Sequence, residues 1–203
     1  MASEDSKKAA AKTEKFVWVG NEPALDFVNT AIVSQGRPVD LLAERHDLVR
    51  WLHEAGLLRV PKSTPRPLLD AALHAARDYR RLLRFGVQTL MDTGGLPRDT
   101  VAATNALLAR KAARDLLVPD GRRFALERRW DLNSPEDVCA PIALSFARFI
   151  AMADLERVRR CKNPECVLVF YDVSKSGTRS WCSLNTCGNK LRVAAFRKRL
   201  AEG

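Results

Sequence analysis

Four cysteines, Cys161, Cys166, Cys182 and Cys187, form two C-x4-C pairs separated by fifteen residues. Thiolate sulfurs are soft ligands that suit a tetrahedral zinc ion, and paired cysteines on tight turns can surround one. Four sulfurs fill the coordination shell and leave no position for a water or substrate, so one structural zinc is expected rather than a catalytic one. Chance pairs or redox-active thiols are the bland alternative. Two identical pairs bracketing a hairpin-like stretch argue against it. Cys139 stands apart in an apolar stretch and reads as a buried thiol behaving as a small hydrophobe.

A cationic run follows the second pair at once. At about 100° per residue, Val193, Phe196 and Leu200 share one stripe, which should pack on the cysteine module. Lys190 and Arg197 flank that stripe on one side, and Arg192 and Arg199 on the other. With Lys198, and with Arg179 upstream, these side chains are the candidate nucleic-acid contacts, because cations repeating along a helix can each meet a backbone phosphate. A solvated basic face at a helix C-terminus is the alternative.

The charge balance supports a polyanionic partner. The 203-residue chain carries +10 at neutral pH. Residues 156–203 hold eleven Lys and Arg against four Asp and Glu, so the surplus is concentrated at that end. Hydrophobic content of 46% describes an ordinary soluble protein, with no run approaching the ~18 apolar residues of a membrane span. Met1–Lys15 is small, polar and charged and reads as a disordered leader rather than a secretory signal. A cytoplasmic location and no membrane partner are expected, and under reducing conditions clustered cysteines bind metal more often than they form disulfides.

The elements that must position these groups are mostly helical. Phe16–Gly20 is a short apolar run with strand character, and Pro23 suits the first turn of a helix through Asp26, Phe27, Val28 and Asn29. Leu48, Val49, Leu52 and Ala55 recur at helical spacing before Gly56. A long helix is expected from about Pro67 to Met91, closed by Gly94-Gly95, and another opens at Asp99 or Thr100. Residues 115–127 read as a hairpin turning at Asp120-Gly121. Ser134-Pro135-Glu136-Asp137 is a strong helix start, and that helix should bury Val138, Ile142, Phe146, Phe149 and Ile150 and run out through Arg157, Arg159 and Arg160 into Cys161. Within the cysteine module, residues 167–171 form a strand that should pair with 179–181. Knuckle, hairpin and helix in this order suggest a treble-clef-like zinc module. The fold class expected is therefore mainly α with small β elements. A leader at 1–15 precedes a helical domain with a hairpin at 16–155, and a zinc finger with a basic terminal helix occupies 156–203.

The segment from Cys161 to Arg199 resembles the CGNR zinc finger. The resemblance rests on Cys161–Cys166, Phe170-Tyr171-Asp172, Trp181-Cys182 and Cys187-Gly188-Asn189-Lys190, with Lys190 replacing the arginine that names the motif. Lysine keeps the charge and loses the planar fork that could read a guanine. The preceding part resembles the ABATE domain through Ala24-Leu25-Asp26-Phe27-Val28-Asn29-Thr30 and Asp47–Leu57. Together these imply a bacterial, stress-linked transcriptional regulator with the finger as its DNA-binding part.

Asp26, Asn29 and Thr30 are polar groups on a short apolar helix. They could line a small-molecule effector pocket, or cap and brace that helix against the core. His46, His53 and His74 show no metal spacing, and Trp18, Trp51 and Trp130 fit the core. Two functions compete. One is a zinc-dependent DNA-binding regulator whose helical domain senses a ligand or assembles, a homodimer suiting two-fold DNA sites. The other is a zinc-scaffolded protein-interaction or RNA-binding module. An enzyme is disfavoured, since the sequence offers no nucleophile–base pairing, phosphate-cradling glycine loop or open metal site.

Overall fold

The computed structural model describes residues 15–110, 113–189 and 192–193. Helix α1 (Pro23–Val28) starts at a proline and buries every residue from Ala24 to Val28. It leads into a hairpin, β1 (Ala31–Ser34) and β2 (Arg37–Asp40), whose turn residues Gln35 and Gly36 both take positive φ, 51° and 74°. That is the backbone a tight two-residue hairpin turn needs. Helix α2 (Arg45–Glu54) begins in a capping box between Glu44 and Asp47 and ends at Gly56, φ 68°.

Helix α3 (Arg66–Thr93) is the spine of the molecule, about 42 Å long at 1.5 Å per residue. Ala72, Leu73, Ala76, Tyr79, Leu83, Val87 and Leu90 form its buried stripe. Helix α4 (Arg98–Leu108) crosses it at Gly86, where an added Cβ would lie 2.6 Å from Thr100 Cγ2. Strands β3 (Ala113–Asp120) and β4 (Arg123–Trp130) make an exposed hairpin, and α5 (Pro135–Met152) returns through the core. Its start is fixed by Asp137, which accepts the amides of Asn133 and Ser134 and pairs with Arg110 Nε at 2.6 Å. Phe27, Leu42, Trp51, Leu52, Leu83, Ile142 and Phe146 are all almost fully buried where α1, α2, α3 and α5 meet. Burying each such side chain stabilises the fold by roughly 1.5–3 kcal/mol.

Helices with small antiparallel sheets are as the sequence implies, but several local expectations are corrected. Phe16–Val19 forms no strand; the amides of Val19 and Gly20 donate to Asp26 Oδ1 instead of to a ladder. The β1–β2 hairpin was not foreseen. The turn of the second hairpin lies at Gly121-Arg122, between paired Asp120 and Arg123, one residue later than expected. Helix α5 stops at Met152. Asp154 caps a short 3-10 turn (Leu155–Arg157), and the arginines beyond it enter a strand rather than extending the helix.

Candidate metal centre

Strand β5 (Val158–Arg160) pairs with β6 (Val169–Tyr171), Arg159 facing Phe170. The ladder thus spans the first cysteine turn, and the expected pairing of 167–171 with 179–181 does not occur. Paired residues share a face of a sheet, which gives this small hairpin two jobs. Val158, Val169 and Tyr171 point into the helical body, Tyr171 meeting Phe149 edge-on at 5.5 Å. Phe170, fully buried on the opposite face, packs against Cys161 and Cys182.

The cysteines are set by tight backbone turns on either side. Between Cys161 and Cys166, buried Asn163 accepts the Glu165 amide on Oδ1 at 3.1 Å. Its carbonyl accepts the Cys166 amide at 2.9 Å, and its Nδ2 donates to Cys187 Sγ at 3.3 Å. Cys182 precedes Ser183 and a π-helical turn, Leu184–Gly188, and Cys187 lies inside that turn rather than at its start. Gly188 permits the approach of Trp181, whose Cδ1 would be 3.2 Å from an added Cβ.

The four sulfurs all lie within 4.8 Å of one another, and Cys166 and Cys182 are 3.8 Å apart. Tetrahedral zinc with Zn–S bonds of about 2.3 Å requires sulfurs about 3.8 Å apart, so the donor set fits one zinc ion. Thiol ionisation points the same way. The hydrogen bond from Cys182 pulls the Cys166 thiol down to about 5, the same contact pushes Cys182 up, and burial raises Cys161. These contacts favour a thiolate at Cys166, and a bound cation would favour ionising its neighbours as well.

Two residues whose importance the sequence did not disclose hold the centre together. Asp172 is fully buried. Burial works to raise its pKa, but bonds from the Ser174 amide (2.9 Å) and the Arg179 amide (2.8 Å) keep the carboxyl below the usual range. Arg157 donates to the Asp172 carbonyl at 3.2 Å and the Ser174 carbonyl at 3.1 Å. The F-x-D mark placed Asp172 on the page without saying what it does.

The candidate nucleic-acid residues divide. Arg179 is turned inward: its Nε donates to the Trp181 carbonyl at 2.9 Å, its Nη2 to the carbonyls of Cys182 and Val19, and its guanidinium lies 4.1 Å from the Phe170 ring centre. Arg192 is exposed, as is Val193 at 41%. Lys190, Arg197, Lys198 and Arg199 lie outside the described residues, with Phe196 and Leu200.

Asp26, Asn29 and Thr30 are all buried and sit together at the end of α1. Asp26 Oδ1 accepts the amides of Val19 (3.0 Å) and Gly20 (2.7 Å); burial nonetheless raises its carboxyl to about 6. Asn29 bonds to both backbone groups of Val169. Thr30 donates to the Phe27 carbonyl and accepts from Arg80. Each of the three bridges chain segments.

The CGNR zinc finger family matches residues 157–200. The ABATE family, whose description is "Putative stress-induced transcription regulator", matches residues 21–153. No curated protein matches the chain. Neither family is an enzyme family. Among the described residues no helix is long and apolar enough to cross a membrane.

Proposed function

We propose that this protein, which belongs to the ABATE family and carries a CGNR zinc finger, is a zinc-dependent DNA-binding transcriptional regulator. The carrying observation is a four-sulfur site that lies immediately before the cationic end of the chain. Zinc at Cys161, Cys166, Cys182 and Cys187 neutralises thiolate charge and ties the two turns into a treble-clef-like unit. The metal has no open coordination position, so its work is mechanical. The unit presents Lys190, Arg192, Arg197, Lys198 and Arg199 to the phosphate backbone, while Arg179 and Asp172 brace it from within. The helical part, residues 16–155, serves sensing or assembly, and a two-fold dimer would match a two-fold operator.

Each phosphate neutralised releases a counterion, so affinity should fall steeply with salt, log K changing by about −0.9 per contact. The test is fluorescence anisotropy of the zinc-loaded chain on a random duplex pool across a salt series, beside an RNA pool. The expected result is salt-sensitive duplex binding that drops at least tenfold when Arg192, Arg197 and Arg199 are changed to alanine. Negligible duplex binding at low salt, an unchanged affinity in the triple variant, or preference for RNA would replace this function with the scaffold or RNA-binding alternative.

A further inference from the structure

Four arginines on α3, Arg77, Arg80, Arg81 and Arg84, fall at i, i+3, i+4 and i+7 and so share one helix face. With Ala31 and Asp40 they line a concavity of about 560 Å3. Asp40 is the one carboxylate in that lining. It takes a two-pronged bond from Arg80, Nη1 at 2.7 Å and Nη2 at 2.6 Å, and lies 3.4 Å from Arg77 Nε. Among the described residues Arg81 pairs only with Asp78, outside the cavity at 2.7 Å, with both side chains well exposed. Arg84 has no carboxylate partner among the described residues; its Nη2 donates to the carbonyls of Val28 and Ala31, each at 2.6 Å.

This cluster does more than satisfy carbonyls. A guanidinium carries five N–H donors. The bonds above, with those from Arg77 Nε and Nη2 to Leu42 and Ala43, leave Arg77 Nη1, Arg84 Nε and most of Arg81 without an acceptor among the described residues. Four guanidiniums share two carboxylates, Asp40 and the exposed Asp78 outside the concavity, and Arg80 is almost fully buried, a local surplus of positive charge that a bound anion would relieve. Burial and the charge of Arg80 together push Arg84 below the ordinary arginine range, the sign expected of a cation lacking its counterpart. Arginine forks match phosphate oxygens two at a time, and the surplus of positive charge suits a dianion better than a single carboxylate.

We propose that the arginine face of α3 is a binding site for the phosphate group of a small molecule, either inorganic phosphate or a phosphate monoester. Within the concavity Arg80 is 5% exposed while Arg81 is open to solvent, and the volume of about 560 Å3 suits a small headgroup. It also adjoins the finger: Arg84 Nη1 lies 3.4 Å from the carbonyl of Val167, next to Cys166. The inference deepens the sensing role proposed for the helical part and gives that role a ligand class.

The experiment titrates the zinc-loaded full chain, without nucleic acid, with inorganic phosphate and separately with methyl phosphate. Chloride holds ionic strength constant, and heat of binding and melting temperature are read. A saturable response is expected. It should weaken at least tenfold in Arg81→Gln, whose side chain is exposed and lies outside the core, and in Arg84→Gln. It should persist when Arg197 and Arg199 become alanine. Tighter binding of methyl phosphate assigns the site to an ester, and tighter binding of inorganic phosphate to the free ion. A response no larger than that of chloride, an equal response in Arg81→Gln, or loss of the response in the Arg197/Arg199 variant overturns the proposal. Because no DNA is present, that failure is separable from failure of the DNA-binding function.

Discussion

The side chain of Asn29 grips both backbone groups of Val169, donating from Nδ2 to its carbonyl at 2.8 Å and accepting its amide on Oδ1 at 3.0 Å. The two residues are 140 positions apart, one ending α1 and the other opening β6 between the cysteine pairs. An asparagine is the side chain that can complete both halves of this interaction, since it carries a donor and an acceptor on one planar group.

Replacing Asn29 by alanine leaves two buried backbone groups without partners. Each orphaned group costs roughly 1–3 kcal/mol, so Asn29→Ala should destabilise the protein by about 2–5 kcal/mol in denaturant unfolding. Asn29→Asp should be at least as damaging, because a carboxylate keeps the acceptor and sets negative charge against the Val169 carbonyl. A loss under 1 kcal/mol in both variants would show that the clamp contributes little.

Arginines 179 and 192 have opposite surroundings and should fail in opposite ways. Arg179 ties the Trp181 and Cys182 carbonyls to Val19 and covers the Phe170 ring. Arg179→Gln should therefore lower zinc affinity and the melting temperature of the finger. Arg192 is exposed, so Arg192→Gln should leave melting unchanged while reducing duplex affinity and cutting the salt slope by about one unit. Equal effects of the two variants on melting would contradict the division.

How much of this was legible in the sequence depends on whether the deciding physics is local. The start of α5 was legible because Ser134, Pro135 and Asp137 carry the cap within four residues, and the ends of α2 and α3 because Gly56 and Gly94 supply positive φ. The cysteine site was legible from spacing. The β1–β2 hairpin was hidden because Gln35, not glycine or asparagine, takes φ 51° at its turn and Pro38 sits in the strand. The end of α5 was misplaced because nothing in Arg157–Arg160 opposes a helix; pairing with β6 decides it. Arg179 looked like its cationic neighbours, and only the tertiary fold brings three carbonyls to its guanidinium.

Removing the metal should divide the finger rather than unfold it evenly. Val158 and Val169 are buried in the helical core, whereas Phe170 is the main apolar support of the cysteine cluster. Chelation, or Cys182→Ser, should abolish amide protection over residues 172–189 while Val158–Arg160 and Val169–Tyr171 stay protected, read by hydrogen exchange. Loss of protection throughout α1–α5 would mean that finger and helical body unfold as one unit.

Asp26 gives the stability a pH dependence of unusual sign for a carboxylate. Burial raises its pKa from 3.8 to about 6 against the opposing bonds from Gly20 and Val19. Between those values the folded chain holds a proton that the unfolded chain has released, so stability from this group is full below pH 4, falls as pH rises and is lost above about 6. The carboxyls of Asp40 and Asp137 are held below their ordinary value and act in the opposite direction at lower pH, so the contribution must be isolated by a variant. Asp26→Asn keeps an oxygen acceptor for the Val19 and Gly20 amides without the charge. Relative to the wild type it should gain stability steadily between pH 4 and 6, reaching about 3 kcal/mol, and hold that gain to pH 7.5. A difference between the two proteins that does not change with pH, measured by urea unfolding at each value, would show that the Asp26 carboxyl titrates alike in folded and unfolded chains.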